Sequence, residues 1–212
     1  ADATMTFVAT DTETNAATDT TTWNYLADFN GDVTLTITIN DGSGSDVVGT
    51  ITLTVTSVND APVNTVSNAV STNEDVAVDI TGNSIADVDD TSMTSVVISS
   101  TQSGTMTLAG TSGLTFAGGG GDGTADNSMT FGGTVANINT AIATITWTSA
   151  ANDNTNAVIT IVSTDDSGGA DTDTIAVTVA AINDPPTLTA TSSNPTHTED
   201  AGAVSLFSGA AV

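Results

Sequence analysis

The sequence predicts an all-β protein made of tandem β-sandwich domains, and three features carry that expectation. Thr and aliphatic residues alternate, as in VTLTITI (Val33 to Ile39) and TITLTVTSV (Thr50 to Val58). A period of two sets one residue type on each face of an extended chain, whereas a helix needs a period near 3.6. Turns rich in Gly, Asn and Asp separate such runs, with NDGSGSD standing between these two. Long segments also recur. ADATMTF (Ala1 to Phe7) returns as ADNSMTF (Ala125 to Phe131), and ITLTVTSVND (Ile51 to Asp60) returns as IAVTVAAIND (Ile175 to Asp184). Laid over 125–184 without a gap, residues 1–60 show 24 identities in 60 positions, which marks an internal repeat of 124 residues.

In chain order, the first pair of runs reads as a hairpin. Further strands are expected at Val76–Ile80, Met93–Ser99, Thr105–Ala109, Leu114–Ala117, Ser128–Phe131 and Ile145–Thr148. One helical stretch is expected over Val135 to Ile145, because Thr134 can cap it and Val135, Ile138, Ile142 and Ile145 fall at helical spacing. Its counterpart in the first copy carries Asp11, Thr14, Thr18 and Thr21, so that turn should differ. AVITIVS, TDDSGGAD and TIAVTVAAI form a second hairpin. Short strands at this density fit an Ig-like β-sandwich in each repeat. Trp23 and Trp147 hold equivalent positions and are expected in the core of their copies.

Beyond the second copy the match resumes, since NEDVAV (Asn73 to Val78) corresponds to TEDAGAV (Thr198 to Val204). The expected organisation is the C-terminal part of a first repeat (1–60), a complete repeat (61–184) and the N-terminal edge of a third (185–212). Boundaries inside domains imply either a window on a longer array or a protomer whose ends complete each other between molecules. A start at Ala1 with no visible signal peptide reads as a processed or truncated N-terminus.

Composition narrows function. The chain has 25 acidic residues, no Lys or Arg, and a single His, His197, for a formal net charge of -25. A surface of one sign repels itself unless cations screen or bind it. Nucleic acid and anionic membrane surfaces are excluded as partners, because both call for Lys or Arg. Divalent metal ions are the natural counterpart. The chain has no Cys, so disulfides and thiolate chemistry are absent. No apolar run approaches the roughly 18–20 residues of a membrane span. No Asn-X-Ser/Thr sequon with X other than Pro occurs, while the Thr-rich runs leave O-glycosylation open. An enzyme is not expected, since nothing marks an apolar pocket that would set two carboxylates apart in pKa. A Lys–Asn crosslink is impossible without Lys.

The acids come in an ordered set. VNDAPV (Val58 to Val63) and INDPPT (Ile182 to Thr187) resemble the linker of cadherin repeats, and NEDVAVDITGNSIADVDD (Asn73 to Asp90) resembles the cadherin Glu motif, following strand and Asp-X-Asp motif. GLTFAGGGGDGTADNSMTFGGTVANINTAIATITWT (Gly113 to Thr148) is similar to the cadherin-like repeats of large bacterial surface adhesins. The resemblance implies cadherin-like sandwiches with Ca2+ bound where consecutive domains meet. Calcium takes six to eight oxygens from carboxylates, amides and carbonyls. Asp87 and Asp89 would share one side of an extended chain. Following the strands up and down, an upper cluster of Asn59, Asp60, Asp87, Asp89 and Asp165 is expected. A lower cluster of Glu74, Asn183 and Asp184 is expected at the other end. The Asp-Arg-Glu motif of vertebrate cadherins has no counterpart, which implies fewer ions per junction.

The expected function is an extracellular structural repeat of a calcium-rigidified surface adhesin, matrix protein or fibre. Its partners would be calcium, neighbouring repeats or identical subunits, and glycans or other surface proteins. One alternative is a filament subunit completed by strand addition from a neighbour. Another is a carbohydrate-binding module, which would need exposed aromatics. Asp122 in GGGGDG reads as loop chemistry, not a phosphate cradle, because no Lys follows. Asp2 and Asp126 read as turn caps.

Overall fold

The computed structural model describes residue 18 and residues 21–211. The chain divides into two compact units, Ala1–Asp60 and Ala61–Val212. In the first unit, β1 (Gly31–Ile39) and β2 (Val47–Val55) form an antiparallel hairpin in register from Gly31↔Val55 to Ile39↔Val47. Of the stretch matching the helix of the second copy, only Thr18 is described before Thr21, and it is helical. Asp2, Asp11 and Thr14 lie outside the described residues.

The second unit is an all-β sandwich. Its strands are β3 (Val63–Thr65), β4 (Val70–Asn73), β5 (Val78–Thr81), β6 (Ser84–Ala86), β7 (Ser92–Ser100), β8 (Thr105–Leu108), β9 (Leu114–Phe116), β10 (Ser128–Thr134), β11 (Thr144–Thr148), β12 (Ala157–Thr164) and β13 (Ala170–Ala180). A six-stranded sheet runs β4-β13-β12-β7-β10-β9, and a three-stranded sheet runs β5-β11-β8. All their pairings are antiparallel except β4 on β13, which is parallel. β14 (Thr189–Ser192) and β15 (Phe207–Ala211) pair antiparallel, as β3 and β6 do. The short strands β3, β4, β6, β14 and β15 were not among the strands expected from the sequence.

The alternation of the long strands buries one face of each. In β12, Ala157, Ile159 and Ile161 point inward; in β13, Ile175, Val177 and Val179 do. They meet Ile80, Met106, Ile145 and Trp147 of the other sheet in one core. Glycine is required where the Trp147 ring packs close to residue 104: a Cβ on Gly104 would approach the ring to 2.9 Å and overlap the Thr148 carbonyl. Gly132 marks the register shift of β10 against β7, and a Cβ there would come within 2.8 Å of the Thr94 carbonyl oxygen.

The one helix described in the second unit, α1 (Val135–Ile142), starts as expected, with the Thr134 side chain accepting the Asn137 N–H. It stops three residues before Ile145. Its C-terminal groups are taken up instead by β5's exit: the Asn83 side chain donates to the Ile142 carbonyl and Gly82 N–H donates to that of Ala143. Ile145 then serves β11, where its side chain is fully buried. Asn139 clamps β6, accepting the Ile85 N–H at 2.7 Å and donating to the Ile85 carbonyl at 2.9 Å. Trp23 departs from the core expectation: Trp147 is 0% exposed and Trp23 is 40% exposed. No helix among the described residues is long and apolar enough to cross a membrane.

Candidate metal centre

The clamp on Ile85 fixes the end of β6, and Asp87 follows one residue after it. Its Oδ1 accepts the N–H groups of Asp89 and Asp90, both at 2.8 Å. This turn, formed by an Asp on its own downstream backbone, curls the chain. Extended alternation therefore fails here, and Asp90 replaces Asp89 beside Asp87. Asp89 is exposed.

Asp165 arrives from the β12–β13 hairpin. The antiparallel register of β12 on β7 ends at Thr164↔Ser95, so the next residue emerges beside the approach to β7. Asp165 is 2% exposed. Its Oδ1 accepts the N–H groups of Ser167 at 2.9 Å and Gly169 at 2.8 Å, which pins the turn. Asp41, its equivalent in the first unit, holds the Ser43 N–H at 2.9 Å in the same way. That contact, followed by the Ser43 hydroxyl, keeps the Asp41 carboxyl below the usual carboxylate range.

One carboxylate oxygen each from Asp87, Asp90 and Asp165 lies within 4.8 Å of the others. Oδ2 of Asp87 and Oδ2 of Asp90 are buried and have no hydrogen-bond partner. Burial, then the charge of Asp166 and a hydrogen bond shared with it, then the charges of Asp87 and Asp165, push the Asp90 carboxyl above its ordinary value. Such crowding is unfavourable without a counter-charge. The donors are hard, anionic oxygens, a set that suits Ca2+ or Mg2+ and not a soft metal.

The structure joins Asp87 and Asp165 of the expected upper cluster and adds Asp90, with the charge of Asp166 acting on Asp90. Asn59 and Asp60 are exposed residues after β2 at the end of the first unit. At the other end of the second unit, Glu74 is 4% exposed and accepts the Ile182 N–H at 2.7 Å, one residue before Asn183. Asn183 and Asp184 are exposed, with the Asn183 side chain donating to the Asp184 carbonyl. Among the described residues, Asp87, Asp90 and Asp165 form the acidic group close enough to share an ion. Asp126 serves its own loop, its Oδ2 accepting the N–H groups of Asp122, Gly123 and Thr124.

Fold and site together define a strongly acidic, all-β sandwich protein with a cluster of inward carboxylates at one hairpin end. No protein-family pattern matches the chain, and no curated protein does.

Proposed function

We propose that the chain is a calcium-binding structural repeat of an extracellular surface or matrix protein, and that Asp87, Asp90 and Asp165 hold the ion, with Asp166 beside them. The observation that carries this reading is the pair of buried, partnerless oxygens on Asp87 and Asp90. A buried acceptor without a donor is costly, and more so when it is charged. A divalent cation supplies the missing counter-charge and coordinates several oxygens at once. The ion would tie the β6–β7 connection to the β12–β13 hairpin, stapling strands distant in sequence. The role is mechanical, and it uses no catalytic step.

The net charge of -25 supports the same reading at larger scale, since cation binding offsets repulsion that otherwise opposes compactness. The resemblance to cadherin-like repeats supports linkers as further ligands, with Asn59, Asp60, Asn183 and Asp184 as the residues to examine. Thermal unfolding with calcium against sodium chloride at matched ionic strength tests the proposal. Wild type should gain stability in calcium beyond the salt control, and Asp90→Asn should lose that excess. Equal melting in both salts would sink it.

A further inference from the structure

We propose that the apolar face of the β1–β2 hairpin is a docking surface for a polypeptide half-module with the residue pattern of 61–124. This inference stands on the internal repeat and not on calcium. Leu35, Ile51, Leu53 and Trp23 are 43%, 49%, 42% and 40% exposed. Their equivalents Ile159, Ile175, Val177 and Trp147 are between 0% and 1% exposed. The side chains are nearly the same; their exposure differs. In the second copy the core around them holds Ile80, Val96, Ile98 and Met106 from 61–124, together with Met129, Phe131 and Ile138, whose counterparts Met5, Phe7 and Thr14 lie outside the described residues.

Backbone points to the same occupant. β12 pairs with β7 from Ile159↔Ser100 to Thr164↔Ser95, and β13 pairs with β4 from Val177↔Val70 to Ala180↔Asn73. The equivalent stretches Leu35–Asn40 and Leu53–Thr56, which run to just past the ends of β1 and β2, pair with no further strand among the described residues, where the hairpin is a two-stranded sheet. An unpaired strand edge accepts another strand. A glycan or lipid would cover the apolar side chains and leave those edges bare. That same comparison argues against Trp23, Tyr25 and Phe29 as a sugar platform, although their rings lie 5.6 and 6.1 Å apart. Trp23 stands where the second copy has a core tryptophan. Residues 185–212 hold no counterpart of β7, so they do not offer the strand that β1 lacks.

The test is to place a second copy of residues 61–124 directly ahead of Ala1 in the full chain, which recreates the Thr124-to-Ala junction, and to work in chelator. Trp147 is already buried, so a change in tryptophan emission reports Trp23. Emission should move to shorter wavelength, and amide exchange over 31–55 should slow by about 100-fold. Ile98→Asp in the added copy should reverse both. Unchanged emission and exchange in the extended chain would overturn the proposal. So would sedimentation showing that the unextended chain already buries Trp23 in dimers or filaments, because a second copy would then be the occupant.

Discussion

Asp90 is the residue on which the site turns. Its carboxyl is raised by burial first and by Asp166, Asp87 and Asp165 after it. A carboxyl with a higher pKa in the folded than in the unfolded state binds more protons when folded. Its contribution to stability therefore falls as pH rises through that window, and the penalty is complete above the folded value. Without metal, Asp90→Asn should remove this part of the pH dependence, so that its stability gain over wild type is larger at neutral pH than in mild acid. Calcium competes with the same proton, so wild-type affinity should weaken as pH falls through the raised value. Calorimetric titration at several pH values checks both. Asp87 and Asp165 were named from the sequence, and Asp90 was not. Their grouping was partly legible: alternation favoured Asp89, and only the turn closed by the Asp87 carboxylate brings the third residue after it round instead. An Asp that can bond its own downstream backbone is a turn former, and Asp87 was in that sense the signal for Asp90.

At the scale of elements, α1 and its neighbours position the site from behind. Asn139 holds both backbone groups of Ile85, immediately before Ala86 and Asp87. Asn139→Ala would strand a buried amide pair and should cost about 1–3 kcal/mol in denaturant unfolding, with weaker calcium binding as a consequence of a looser β6. Gly104→Ala forces a methyl between Trp147 and the Thr148 backbone. It should cost about 1–3 kcal/mol by overpacking, with near-ultraviolet circular dichroism reporting the disturbed tryptophan. The long strands and the start of α1 were readable from periodicity and a capping Thr. Where α1 ends was not, because Asn83 and Gly82 are distant partners that local pattern does not name.

For the whole molecule, the dominant quantity is a charge of -25 with no Lys or Arg to balance it. Stability in chelator should rise with monovalent salt, because screening shortens the range of the repulsion. Calcium should act at far lower concentration. A site filled at 100 times its dissociation constant adds about 2.7 kcal/mol. A melt that responds to ionic strength alone, with no step at low calcium, would show diffuse screening without a bound ion.

The sequence by itself determined the repeat, the strand periodicity, the turn chemistry and the excess of oxygen donors, since each is written in residue type and spacing. Tertiary structure decided which acids meet and which apolar faces are covered. Asp165 reaches Asp90 through the β12–β7 register, and Trp23 is 40% exposed where its equivalent Trp147 is fully buried. Both depend on contacts between segments far apart in the chain, and local pattern constrains a residue's direction without naming its distant neighbour.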